Sequence, residues 1–215
     1  MLKVFSKLKE KLQHGLFLYF LLSQLKRIGL DFLPCYWIQE GIFDSTPIAM
    51  ENLPAGYTFE FLTQEDMKII GNIPGREDEN VPVLLARLKK GDKCLGAKYQ
   101  GQIAAFTWVD FIGDSFKDRK LILKEDEAYL YDMYTLKSFR GSNIAPHLRY
   151  ECYKIAKELG RSKCYSTSDI FNAPSLKFKQ KLNAKILESY LDIKLFNKFH
   201  WNWKIKDYTS YKTAA

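Results

Sequence analysis

The sequence predicts an α+β fold with a mixed, mostly antiparallel central sheet flanked by helices and preceded by a helical N-terminal extension. A strand at residues 129–135 is followed by a glycine turn at 140–145. A helix is predicted after the turn because apolar side chains recur there at three- and four-residue spacing. Residues 93–111 indicate an antiparallel strand pair joined by a turn at Gly101. Residues 1–50 instead show the basic, amphipathic spacing of a helix.

The extension, residues 1–50, alternates lysines with apolar side chains at helical spacing, at Leu2, Phe5, Leu8 and Leu12. Residues 16–22 are wholly apolar, but seven residues are too few for the roughly 20 that span a bilayer. No small-residue cleavage site follows them, so a signal peptide is not indicated either. Three arrangements stay open: the extension lies on an anionic membrane surface, packs on the domain as a helical hairpin, or forms a homodimer interface.

Residues 51–215 are predicted to form one α+β domain. Thr63 and the acidic residues after it indicate the start of a helix. The segment 72–82 is rich in Gly, Pro and charge and is predicted to be a loop. The predicted elements in chain order are a strand at 57–61 and two short helices at 63–70 and 83–90. They are followed by a pair of strands at 93–99 and 103–111 and by a connecting loop at 113–124.

The turn at residues 140–145 has the chemistry of an anion site. A helix N-terminus leaves backbone N–H groups unpaired and carries partial positive charge, so a turn that ends there can bind a pyrophosphate through amides alone. Pro146 fits the first helical turn, and Asn143 is among the few non-glycine residues that tolerate a positive φ. An ordinary helix cap after a strand explains the same pattern.

The run Arg140-Gly-Ser-Asn-Ile-Ala145 resembles the Arg/Gln-x-x-Gly-x-Gly/Ala signature of the GCN5-related N-acetyltransferases (GNAT), with Asn143 in place of the usual central Gly. A second run resembles the family's Asn-x-x-Ala/Ser-x-x-Leu-Tyr-x-Lys-Leu motif, and follows the first in the family's order. Its matching positions are Asn172, Ser175, Phe178, Lys181 and Leu182. The resemblance covers about residues 57–206 and implies a GNAT-like acyltransferase domain within 51–215.

This resemblance implies acetyl-CoA or another acyl-CoA as co-substrate and direct attack by an amine in a ternary complex. The coenzyme pyrophosphate would lie on the glycine turn, and the thioester carbonyl and pantetheine arm along the end of the preceding strand. Amides there could polarise the carbonyl as oxyanion donors do. The implied coenzyme-binding residues are Met133, Tyr134, Thr135, Arg140, Gly141, Ser142, Asn143, Ile144, Ala145, Asn172 and Ser175.

Amine acylation requires a base, because an ammonium has no lone pair with which to attack the thioester. Asp132, a carboxylate within the strand at 129–135, is the predicted catalytic base, and a structural Asp bonded to a neighbouring loop is the alternative. Lys179 stands where many family members carry the Tyr that protonates the leaving thiolate. A lysine with its ordinary pKa of about 10.4 suits that role poorly. The helix pattern predicts that Lys179 faces solvent, which leaves the general acid unassigned.

The composition of the chain limits the metal sites and binding partners that can be expected. Four Cys and three His are scattered without metal-ligand spacing, so no metal is expected, and the thiols are predicted to be reduced and buried in a cytoplasmic protein. The net charge of +8 suits anionic partners such as coenzyme A, an acidic acyl carrier protein or the anionic inner face of a membrane. No nucleic-acid-binding module accompanies that charge, which argues against nucleic acid.

The sequence therefore predicts a cytoplasmic acyl-CoA-dependent N-acyltransferase, peripheral on the membrane if the extension binds lipid, with a small-molecule or lipid-linked amine as acceptor. Two alternatives remain. One is transfer of a long-chain acyl group from acyl-CoA or an acyl carrier protein. The other is a catalytically degenerate GNAT-fold binding protein.

Overall fold

The computed structural model describes residues 17–41, 53, 55–113, 115–116, 119–120, 123–196 and 198–209. It confirms the predicted α+β fold with a mixed, mostly antiparallel sheet. The described helices are α1 (Phe17–Arg27), α2 (Gln64–Ile70), α3 (Val81–Lys90), α4 (Ile144–Glu158) and α5 (Ala173–Lys181). The described strands are β1 (Leu30–Glu40), β2 (Tyr57–Phe61), β3 (Lys93–Tyr99), β4 (Gln102–Asp110), β5 (Ser115–Phe116), β6 (Arg119–Lys120), β7 (Glu127–Thr135), β8 (Lys163–Asp169), β9 (Lys185–Leu195) and β10 (Phe199–Asp207).

Contacts between residues divide the chain into two units. Among the described residues, the larger unit contains those within 39–166 and 177–185, and the smaller unit contains those within 17–38, 167–176 and 186–209. In the larger unit the strand order is β8–β7–β4–β3–β2. All of these neighbours are antiparallel except β7 and β8, which run parallel.

The described residues of the larger unit form two hydrophobic clusters. One contains Leu148, Cys152 and Ala156 of α4 at the predicted helical spacing, together with Val109 of β4. The other contains Trp108 of β4 with buried side chains from α2 and α3, among them Met67, Ile70 and Leu84. Strand β4 contributes to both clusters because successive side chains of a strand point to opposite faces. All four cysteines are buried and none of them forms a disulfide, as predicted.

In the smaller unit the strand order is β10–β9–β1. Strand β1 corrects the sequence prediction, which placed residues 1–50 in a helical extension. The helix is confirmed only for α1, and the chain leaves it at Gly29, where φ is +82°. Residues 30–40 contain Pro34, which a helix interior excludes, and aromatic side chains, which favour a strand. The predictions for residues 1–16 and 42–50 fall outside the described residues.

No helix in the described part of the chain is both long and apolar enough to cross a membrane.

Candidate functional site

The glycine turn joins β7 to α4 within the larger unit. Gly141 has φ +83° and Asn143, the N-cap of α4, has φ +60°, so the chain adopts the left-handed region twice, as the sequence predicts for Asn143. A Cβ on Gly141 would meet no atom within 4 Å. The backbone conformation therefore favours glycine there, while the space around it is open. The first amides of a 15-residue helix follow directly, as an anion site requires.

Strand β7 carries a bulge where the predicted thioester-binding residues 133–135 begin. Tyr131 pairs with Trp108 and Tyr134 with Phe106, so Asp132 and Met133 together lie opposite Thr107. Asp132 has φ +45°, a conformation that bulges accept and regular strands do not. The bulge therefore takes Asp132 and Met133 out of regular strand geometry, and regular pairing resumes at Tyr134 and Thr135.

The parallel pairing of β7 with β8 is short. The ladder runs from Glu127 opposite Lys163 to Tyr129 opposite Tyr165. Beyond that point, β7 continues its antiparallel pairing with β4 as far as Thr135. A strand that extends past one neighbour presents main-chain groups to which an extended, amide-bearing ligand can bond. The pantetheine arm of coenzyme A is a ligand of that kind.

Asp132 is held by two arginines. Arg76 Nη2 donates to both carboxylate oxygens at 2.8 Å, and Arg87 Nη1 donates to Oδ2 at 2.9 Å. Both arginines come from the segment between β2 and β3. For Asp132 to act as the base, the ammonium of the acceptor would have to replace one of these two guanidinium groups beside the carboxylate.

Aromatic rings hold both guanidinium groups in place. Arg76 Cζ lies 5.0 and 4.7 Å from two ring centroids, and Arg87 Cζ lies 5.4 and 5.2 Å from two others. Arg87 is also ion-paired with Glu79. Burial, and then the nearby Asp132, raise the pKa of Glu79. Each arginine thus stacks on one ring of β4 and one ring of β7. Arg76 lies against Phe106 and Tyr134, and Arg87 lies against Trp108 and Tyr131.

A second carboxylate near the bulge was missed by sequence reasoning. Asp92, only 2% exposed, accepts a hydrogen bond from the Tyr131 hydroxyl. Lys90 Nζ lies 3.3 Å from both Asp92 Oδ1 and Asp110 Oδ2. Burial raises the pKa of Asp92. In the sequence, Asp92 follows the helix-ending Gly91 and resembles an ordinary turn residue, so no local pattern identifies it.

Lys179 is buried, so the prediction that it faces solvent is wrong. Its Nζ donates to Ser166 Oγ at 2.6 Å and lies 3.1 Å from Glu40 Oε1. Burial lowers the pKa of Lys179, and the nearby Arg149 adds to that effect. The helix pattern failed because three lysines lie close together in α5, and only a partner from another element distinguishes one of them.

Glu40 is the fully buried partner of Lys179. It accepts hydrogen bonds from Tyr153 Oη at 2.6 Å and from the Ser166 hydroxyl, and Arg149 Nε lies 3.4 Å from it. Burial disfavours the ionised form of Glu40, but Arg149 and Lys179 outweigh burial and lower its pKa to about 2. The last residue of β1 is thereby joined to α4, β8 and α5.

Asn172 and Ser175 lie in the smaller unit, at the start of α5. Asn172 Oδ1 accepts from the Ser175 amide at 3.2 Å, the pattern of a helix N-cap. The Ser175 hydroxyl lies 3.1 Å from the Ser168 hydroxyl. Both residues thus have a local structural role, and their coenzyme role is a proposal.

The profile of the Acetyltransferase (GNAT) family matches residues 49–184. No curated protein matches the sequence. Three of the solved structures that share the fold illustrate the similarity. A Drosophila protein has 14% sequence identity and a TM-score of 0.58, and the match covers 80% of this chain and 54% of that one. A GNAT-family protein of Novosphingobium aromaticivorans has 13% identity and a TM-score of 0.53, with coverages of 78% and 66%. A GNAT-family acetyltransferase of Colwellia psychrerythraea has 14% identity and a TM-score of 0.56, with coverages of 76% and 57%.

The chain spans between about half and two thirds of the length of those three structures. The family match covers more than half of the chain and includes both the glycine turn and the second motif. The protein therefore belongs to the acetyltransferase (GNAT) family.

Proposed function

We propose that the protein is an acyl-CoA-dependent N-acyltransferase, which moves an acetyl or other acyl group to the amine of a small molecule or a lipid-linked acceptor. The observation that carries the proposal is the glycine turn at the N-terminus of α4, directly after a bulged strand whose pairing with β8 ends early. Family membership supports it.

In this proposal the coenzyme pyrophosphate binds the amides of residues 141–145, and the thioester carbonyl binds amides of residues 133–135. Arg140 lies between these two groups. Its Nε donates to Thr135 O at 3.3 Å, and its Cζ lies 5.6 Å from the Tyr134 ring. The Arg140 side chain is exposed, so its remaining N–H groups can reach a phosphate. Asn172 and Ser175 are included among the proposed coenzyme-binding residues on the strength of the family motif alone.

The proposed reaction joins the amine nitrogen to the thioester carbonyl carbon and then breaks the carbon–sulfur bond. The amine loses a proton to a base, and the leaving thiolate gains one. Asp132 is the candidate base, with Arg76 and Arg87 as the groups that the acceptor must displace or share. Lys179 does not supply the thiolate proton in this scheme, because its ammonium group is enclosed with Glu40 and Ser166.

A second candidate, a binding protein without turnover, is favoured by two of these contacts. The position of the usual acidic Tyr is occupied by the buried Lys179, and the only proposed base is already ion-paired. This candidate predicts coenzyme binding without acyl transfer to any amine. Transfer of longer chains, from acyl-CoA or an acyl carrier protein, predicts instead an affinity that increases with acyl length.

Isothermal titration with acetyl-CoA tests the coenzyme site. Gly141→Asp should weaken binding by about 10- to 100-fold, because its carboxylate would meet the phosphates. Gly160→Asp is the matched control, since Gly160 also has a positive φ, +76° against +83°, and open space around its Cα, but lies after the opposite end of α4. The control should bind as the wild type does. If both folded variants bound acetyl-CoA with equal affinity, the coenzyme would not bind at this turn.

A further inference from the structure

Strands β9 and β10 form an amphipathic ribbon in the smaller unit. Side chains directly opposite each other in an antiparallel pair lie on the same face. Phe199 faces Leu195, Trp201 faces Ile193, and Trp203 faces Leu191. We call this set the apolar face: Leu191, Ile193, Leu195, Phe199, Trp201 and Trp203.

The opposite face of the ribbon is polar and internally bonded. Asn202 Nδ2 donates to Asp192 Oδ1, and His200 Nε2 lies 3.6 Å from the same oxygen. Lys204 is ion-paired with Glu188 at 2.8 Å. These contacts fix the register, so the aromatic side chains cannot exchange faces with the polar ones.

The apolar face is open to solvent at its aromatic side chains. Phe199, Trp201 and Trp203 are 56%, 51% and 70% exposed, and the rings of Phe199 and Trp201 stack at 5.9 Å. With aromatic side chains of this size, such fractions correspond to roughly 300–400 Å² of exposed aromatic surface. Patches of that size on soluble proteins are often functional. These three aromatic side chains alone therefore supply less than the roughly 800 Å² that each partner buries in a stable specific dimer.

The edge of β10 is poorly suited to strand addition. In the strand order, β10 is the outermost strand of the described sheet. Lys204 and Lys206 are exposed along it, and the register shifts between them. Lysines and bulges on an edge strand oppose pairing with another strand. A partner is therefore expected to cover the face of the ribbon rather than extend its edge.

Basic residues surround the tip of the ribbon. Phe196, 60% exposed at the tip, lies between Lys194 and Lys198. Its amide donates to Gly29 O at 2.6 Å, which brings the end of α1 beside the tip. Arg27 is exposed there, next to Ile28, which is 63% exposed. Large apolar side chains bordered by lysine and arginine are typical of proteins that bind the interfacial region of an anionic bilayer.

We propose that the apolar face and tip of the β9–β10 ribbon bind an anionic membrane surface. The tryptophans enter the headgroup region and Lys198 and Arg27 contact anionic lipid. This surface uses none of the proposed coenzyme-binding residues, so its failure would leave the proposed function intact.

Vesicle co-sedimentation of the full chain tests the proposal. The protein should bind vesicles of phosphatidylcholine with one third phosphatidylglycerol, bind phosphatidylcholine alone more weakly, and dissociate as salt increases. The double variant Trp201→Thr/Trp203→Thr, which keeps strand propensity, should lose at least about tenfold in partitioning. Lys198→Glu should weaken binding only to the anionic vesicles. Ile69→Thr, at a side chain 59% exposed on α2, is the matched control and should bind as the wild type does.

Three results would overturn the proposal. The wild type could remain in the supernatant at low salt. The double variant could bind as well as the wild type, which would move the membrane contact to another part of the chain. Light scattering could show a wild-type dimer that the double variant abolishes without vesicles, which would make the apolar face an interface between two copies. Coenzyme titration of the double variant should match the wild type in every case.

Discussion

Two ionic clusters in the larger unit use the same chemistry, a carboxylate held by two cations, in opposite surroundings. In the first, Glu40 lies between Arg149 and Lys179, and the three side chains are 0, 2 and 4% exposed. In the second, Asp132 lies between Arg76 and Arg87, and these side chains keep 15, 10 and 19% of their surface exposed. The Glu40 cluster is sealed, whereas the Asp132 cluster keeps partial contact with solvent.

The backbone differs as much as the exposure. Glu40 ends a regular strand and joins it to α4, β8 and α5, whereas Asp132 lies on a bulge with a positive φ beside the residues proposed to bind the thioester. Strained backbone clusters at functional sites, where the surrounding structure holds it in place. We propose that the first cluster serves stability and the second serves chemistry. Each of the following variants separates these two roles.

The largest effect is expected from Glu40→Ala. It leaves Arg149 and Lys179 buried without a counter-charge, which should lower the free energy of unfolding by about 3–5 kcal/mol. For a chain of this size, that corresponds to a fall in Tm of about 6–20 °C. Circular dichroism during heating and urea titration measure it. The matched control is Glu60→Ala, since Glu60 is half exposed and pairs with Lys98. A surface pair of that kind contributes less than about 1 kcal/mol.

The same cluster sets an acid dependence. The pKa of Glu40 is about 2 in the folded state against an ordinary value of 4.5, so its contribution to stability is present above 4.5 and is lost as the pH falls toward 2. Urea unfolding between pH 5 and 2 should show this loss for the wild type and a flatter profile for Glu40→Ala. Parallel profiles would show that Glu40 is not ionised in the folded protein.

Asp132→Asn is expected to have an intermediate effect on stability and a large effect on turnover. If Asp132 is the base, turnover should fall about 10²- to 10⁴-fold at neutral pH. Coenzyme affinity should stay near that of the wild type, because the variant keeps the side-chain volume and the bulge. Steady-state kinetics and coenzyme titration on the same preparation measure both. If affinity falls together with turnover, Asp132 instead positions the bulge through Arg76 and Arg87, and another group is the base.

The sequence predicted what local patterns determine. The strand, the glycine turn and α4 were found because apolar spacing, a glycine and a proline define them within about 30 residues. The positive φ of Asn143 was predicted for the same reason. The contacts of Asp132 could not be predicted, because its partners lie 45 and 56 positions away and exposed and ion-paired arginines look identical in a sequence.

Strand β1 and the burial of Lys179 were missed together. Residues 30–40 follow a basic helical segment, and nothing local shows that Glu40 will meet a lysine and an arginine from the far half of the chain. A lone acidic residue at the end of an apolar run was the available sign. It became informative only when α4 and α5 supplied its partners.

The smallest effect is expected from Lys179→Met. Arg149 still balances Glu40 in this variant, and burial lowers the pKa of the Lys179 ammonium, so its removal should cost about 1 kcal/mol at neutral pH. A lowered pKa means that the unfolded chain binds this proton more tightly than the folded protein does. Wild-type stability should therefore gain from this lysine as the pH rises toward 10.5, the ordinary lysine value, and the variant should lack that gain.

Urea unfolding between pH 7 and 10.5 measures the effect of Lys179→Met, with Lys177→Met, at an exposed lysine of the same helix, as the control. Turnover of the folded Lys179→Met variant should match the wild type, because the ammonium is enclosed by Glu40 and Ser166. A large loss of turnover with coenzyme affinity preserved would place Lys179 in the reaction. The Glu40 cluster would then be part of the catalytic machinery rather than its structural counterpart.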